Sequence, residues 1–196
     1  MFGGATNPES AGSDYPPLIA AATPELYRQN AFRITGLPVT AGIGEVRRHS
    51  QELARMKRLG LPTEDTRGGY LPLRPPPEED QINGAANRLL DQETRLIDEL
   101  FWFWPIDLQG TEDEGLALLK DNRIDDALKF WLRNEQLGSQ SQVSTHNLAV
   151  LYHLAALDLE HRATAQPLTA EATHWRNICW KDAYRRCVTG QVRTGQ

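Results

Sequence analysis

His146-Asn147-Leu148-Ala149-Val150-Leu151-Tyr152 decides how the second half of this 196-residue sequence folds. Its apolar side chains recur at helical spacing, and its residue types echo a segment upstream. Gly115, Leu118 and Asn122 return 34 residues later as Ala149, Tyr152 and Ala156. A fixed period of that length signals stacked helical hairpins. Small residues stand where two helices cross closely, and a large apolar one fills the gap between them. Ala127 and Trp131 supply the small and large residues expected on the second helix of the upstream hairpin. The periodicity predicts helices over 112–120, 124–136, 143–160 and 168–188, with no strand.

Toward the N-terminus the pattern remains helical. Leu26, Tyr27, Ala31, Phe32 and Ile34 predict a helix that starts near Pro24, is capped by Thr23 and is closed by Gly36. Thr40 is expected to open a second helix, with Ile43, Val46, Leu53 and Met56 on its apolar stripe. Arg47, Arg48, Arg55, Lys57 and Arg58 make its other surface basic, and Gly60 and Pro62 stop it. Residues 61–77, with Gly68-Gly69 and Pro75-Pro76-Pro77, read as a loop or extended strap. A third helix is expected from about Glu78 to Trp104, closed by Pro105. It ends in four successive aromatic residues, Phe101 to Trp104, which would point all round a helix. They serve either as an interface or as packing between the two halves of the chain.

Composition narrows the function. A formal charge of −5 does not suit a nucleic-acid binder, which carries a basic face. The run Leu148 to Leu159 is interrupted by His153 and Asp158, and no segment reaches the roughly 18–20 apolar residues that span a bilayer. Residues 1–13 lack the basic and apolar regions of a secretory signal. Cys179 and Cys187 fall on one predicted helix, too far apart for a disulfide, which fits reduced thiols and a cytoplasmic protein.

Two resemblances sharpen the fold expectation. The second half resembles tetratricopeptide (TPR) repeats, with one unit at 112–137 and a half-matched unit at 143–188. In the latter His161 replaces a small residue and 163–167 reads as an insertion. The first half, roughly 25–104, resembles a J-domain, the helical module of DnaJ-type co-chaperones. Three segments in order carry this likeness: Asn30 to Leu37, then Ala41 with Glu45-Val46-Arg47-Arg48, then Ala85-Ala86 with Leu89 to Arg95. J-domains use a His-Pro-Asp tripeptide between their second and third helices to stimulate Hsp70 ATP hydrolysis. Here that loop holds Leu71-Pro72-Leu73-Arg74-Pro75 instead. The resemblance thus implies the frame and a basic second helix of the kind that contacts Hsp70, without the stimulating residues. The expected architecture is all-α, a J-domain-like helical hairpin packed on a short TPR-like repeat region. It divides into a tail at 1–23, a J-like domain at 24–105 and TPR-like helices at 106–190.

No catalytic motif, metal-ligand spacing or cofactor fingerprint emerges. His146, His153 and His161 are spaced along one predicted helix, but no Cys/His cluster accompanies them. The carboxylates Glu112 to Glu114 and Asp125-Asp126 stand at helix starts, where the dipole favours them. The expectation is a non-enzymatic adaptor or scaffold subunit, with no cofactor, that binds an Hsp70-like protein or a larger protein assembly. The alternative is a co-chaperone that regulates an Hsp70-type ATPase without the tripeptide. Candidate partner-binding residues are Arg47, Arg48, Arg55 and Lys57 on the second helix, Phe101, Trp102 and Trp104 in the aromatic run, and Asn147, Tyr152 and His153 in the repeat groove. The basic helix face also reads as an ordinary solvated surface.

Overall fold

The computed structural model describes residues 23–60, 69–106, 113–137, 141–165 and 169–193, apart from the side chains of Lys57, Ser141, Ala165, Trp180 and residues 183–193. The expected tail therefore lies outside it except for Thr23. Among the described residues all regular structure is α-helical. In chain order the helices are α1 (Leu26–Gln29), α2 (Ala31–Thr35), α3 (Ile43–Arg58), α4 (Glu79–Leu90), α5 (Gln92–Leu100), α6 (Glu114–Lys120), α7 (Ile124–Glu135), α8 (Ser141–Ala165) and α9 (Ala170–Arg193).

Two expected helices are each split by a polar residue that caps the piece after it. Asn30 takes an extended ψ of 127°, and its Oδ1 accepts from the amides of Phe32 and Arg33 at 3.0 and 3.2 Å. The first helix thus becomes α1 and α2. Thr23 is not the cap of α1, since Glu25 holds that place. Gly36 closes α2 at φ 76°, as expected. Asp91 splits the expected 78–104 helix in the same way, accepting from the amide and hydroxyl of Thr94 at 2.9 Å each. Its helical part ends at Leu100, so Phe101 to Trp104 run on as non-helical chain. Thr40 does not open α3 either. The first helical bond runs from Val46 to the Gly42 carbonyl, which moves the start two residues on. The final helix continues to Arg193, beyond the expected 188.

In the first half, α2 packs on α4 and α5, and α3 packs on α4. Each of the five residues of α2 is buried, so it is a core helix surrounded by protein. Asp98 pins the junction. Its carboxylate accepts from the Ala31 amide at 3.0 Å and from Arg88 at 2.5 Å, while the Asn30 side chain donates to the Asp98 carbonyl at 2.8 Å. Burial pushes the Asp98 carboxyl above its ordinary value, opposed by the Arg88 charge. The strap described from Gly69 onward crosses the end of α2 backbone to backbone. A Cβ on Gly69 would stand 2.5 Å from the Gly36 Cα.

In the second half, α6 packs on α7, α7 on α8 and α8 on α9. The short connections make successive neighbours antiparallel. Gly115 fulfils the small-residue role read from the sequence. A methyl group there would collide with the Trp131 ring, 2.8 Å from Cε2. Ala127 and Trp131 are fully buried beside it. One buried apolar cluster runs from Leu26 to Leu157, across both sides of residue 105. The non-helical aromatic run makes the join. Trp102 and Phe103 are buried, and Phe103 stacks on Trp131 with centroids 5.7 Å apart. No described helix is long and apolar enough to cross a membrane.

Candidate interaction cleft

α8 has two working faces. One face is turned onto the first half and is fastened there by polar groups. Asn147 clamps the backbone of Trp104, accepting from its amide and donating to its carbonyl at 2.8 Å each. His146 Nε2 meets the Trp102 carbonyl at 2.9 Å, and His153 Nδ1 meets the Tyr27 hydroxyl at 3.1 Å. Farther along, Arg33 forms a two-pronged pair with Asp158, at 3.2 and 2.7 Å. Its Nε also donates to the Leu71 carbonyl at 2.9 Å, which holds the strap against the same wall. Leu71 sits at φ 49°, a left-handed conformation that a leucine keeps only where its surroundings impose it.

Beside this seam lies a cleft of about 980 Å³, open to solvent along one side. Its walls are the strap at Gly69 to Arg74, the turn between α6 and α7, the outer face of α8 and the start of α9. Leu119, Leu128, Leu151 and Leu154 give it an apolar floor. Ile124 and Trp175 stand at its mouth with 38% and 50% of their surface exposed. Cys179 is buried in the lining. Burial pushes its thiol pKa up, and the Asp182 charge adds to this, so it is a protonated, weak nucleophile at neutral pH. Among the described residues no three His, Cys, Asp or Glu side chains come together as a metal site requires.

No family model, curated protein or solved structure matches this chain. The two resemblances read in the sequence therefore stand on its own residues.

The candidate residues fall in three places. Arg47, Arg48 and Arg55 are exposed on α3, as expected for a basic surface, while the Lys57 side chain lies outside the description. Trp102 is buried and Phe101 half-buried against the core, where they pack between the two halves of the chain. Trp104 keeps 38% exposure, but its indole donates to the Glu99 carbonyl at 2.7 Å and its ring leans on His146. Of the three expected groove residues, only Tyr152 lines the cleft. Asn147 is buried and His153 is turned to Tyr27, because their positions on α8 face the first half. Sequence reasoning missed Arg33 and Asp158. The signal was a charge set inside each of two otherwise apolar segments, which in a core demands a partner.

The two seam histidines predict a pH response. Burial lowers the pKa of both His146 and His153. The Trp102 carbonyl opposes this at His146, and the Glu160 charge opposes it at His153. Each ring takes a proton more readily in the unfolded chain, so stability is complete above the ordinary histidine value of about 6.5 and is lost as the pH falls through it. The raised Asp98 carboxyl works in the opposite sense, and its contribution grows as it becomes protonated in acid. Thermal melts should therefore show a midpoint falling between about pH 7 and pH 5.5. The variant His146→Gln/His153→Phe should flatten that fall.

Proposed function

We propose that this protein is a non-enzymatic interaction adaptor, in which J-like and TPR-like helices form one frame and the cleft between strap, α8 and α9 receives a partner protein. The open cleft carries this reading. It has an apolar floor, two exposed apolar side chains at its mouth and no convergent catalytic set among the residues described above. Asn147, His146 and His153, the polar groups most readily taken for a site, are already engaged in fastening α8. A reduced buried thiol fits a cytoplasmic location. In affinity capture, the wild-type chain should retain a partner that Ile124→Asp/Trp175→Ala loses while keeping its helical circular dichroism. Equal capture by both would remove the cleft from the function.

The exposed arginines of α3 favour a second reading, a co-chaperone that acts on an Hsp70-type ATPase without His-Pro-Asp. Arg47, Arg48, Arg55 and Arg58 are all exposed, which leaves them available to an acidic partner surface. The expected result is a change in ATP hydrolysis by a purified Hsp70 that Arg47→Glu/Arg48→Glu abolishes. An unchanged rate would leave the adaptor reading alone.

A further inference from the structure

The chain as a whole is acidic, at −5, yet its cleft is not. Arg28, Arg33, Arg74, Lys120 and Arg162 line it, against Asp125, Asp158 and Glu171. Arg33 and Asp158 neutralise each other in the wall. Arg28 is partly screened by Glu25 at 3.5 Å. Arg74, Lys120 and Arg162 remain exposed and make no ion pair with a described residue. They stand at separate points of the mouth: on the strap, at the end of α6 and near the end of α8. These three cations face two exposed carboxylates, Asp125 and Glu171, so the rim around the apolar floor is net cationic although the chain is acidic.

The geometry also selects the form of the occupant. A volume of about 980 Å³ is at the upper end for a small-molecule pocket, and this cleft is an open trough and not a chamber. Strand addition requires an unpaired sheet edge, and the described walls are helices and a strap with no strand. A helix laid into a groove makes no such demand, because its own backbone is satisfied and its side chains supply the contacts. Resting on the adaptor reading, we propose that the cleft receives an acidic amphipathic helix of a partner protein. Its apolar stripe faces Leu128, Leu151 and Trp175, and its flanking carboxylates face Arg74, Lys120 and Arg162.

A random peptide library displayed against the full chain tests this. The expected winners carry apolar residues at helical spacing flanked by Asp and Glu. Their affinity should fall roughly tenfold or more in Arg74→Glu/Arg162→Glu, and weaken with added salt. Asn83→Glu/Asn87→Glu adds negative charge on exposed α4 positions outside the cleft lining and should leave the affinity unaltered. Neutral or basic winners that are lost in Trp175→Ala would overturn the acidic-helix proposal and leave the adaptor reading standing. Selection that yields no peptide sensitive to Ile124 or Trp175 would overturn both.

Discussion

Asp158→Ala should destabilise the chain by about 3–5 kcal/mol, the cost of breaking a buried ion pair from one side. The substitution leaves the Arg33 guanidinium in place, with its side chain only 5% exposed and the Leu71 carbonyl its remaining described acceptor. A stranded charge in that position loses both prongs of the pair while most of its side chain stays buried. Because Arg33 belongs to α2 and Asp158 to α8, the damage falls on the seam between the two halves. Urea unfolding at neutral pH measures it as a lower midpoint. The double variant Arg33→Met/Asp158→Leu should recover most of the loss, since an apolar pair of similar volume leaves no charge to satisfy. If Asp158→Ala unfolds at the wild-type midpoint, the pair does not hold the seam.

Trp131→Ala should cost a similar amount, about 3–5 kcal/mol. The ring is fully buried, stacked on Phe103 and laid over Gly115, so three separate elements lose their contact when it goes. Gly115 cannot close the void, because it has no side chain to move into it. The reverse experiment fills the space from the other side. Gly115→Val forces a branched side chain into the Trp131 ring and should cost about 1–3 kcal/mol. In a Trp131→Ala background the same valine meets only the edge of the Phe130 ring, 3.0 Å from Cδ1, so its cost should shrink. Denaturation midpoints for the four chains of this cycle give the coupling directly. Additive losses would show that Gly115 and Trp131 do not share one packing site.

The helical class and the close crossing at Gly115 were legible because both depend on local spacing and residue size. Helix breaks at Asn30 and Asp91 were not, although each residue is a good cap. Asn30 and Asp91 interrupt runs whose apolar periodicity continues through them, and only tertiary partners decide between a bend and a cap. Asn30 is drawn out of the helix by its bond to the Asp98 carbonyl, 68 residues away. The aromatic run misled for the same reason. As a helix it would have exposed at least one ring; the non-helical chain after Leu100 still exposes Trp104 but turns Trp102 and Phe103 inward together. The cleft was the least legible feature. Its residues come from α1, α2, the strap, α6, α7, α8 and α9, and periodicity assigns Asn147, Tyr152 and His153 to one helix without saying which neighbour each will face. The first half occupies the side of α8 that carries Asn147 and His153, and this leaves Tyr152 alone of the three in the groove.

The central claim, that this cleft is the binding surface, is tested most directly by site-specific photo-crosslinking in the native cell. A photoreactive residue replaces Trp175 at the cleft mouth or, as a control, exposed Asn83 on α4. The account predicts a discrete adduct with one partner protein from position 175, lost in the Arg74→Glu/Arg162→Glu background and absent from position 83. No adduct at position 175, or the same adduct from both positions, would contradict it.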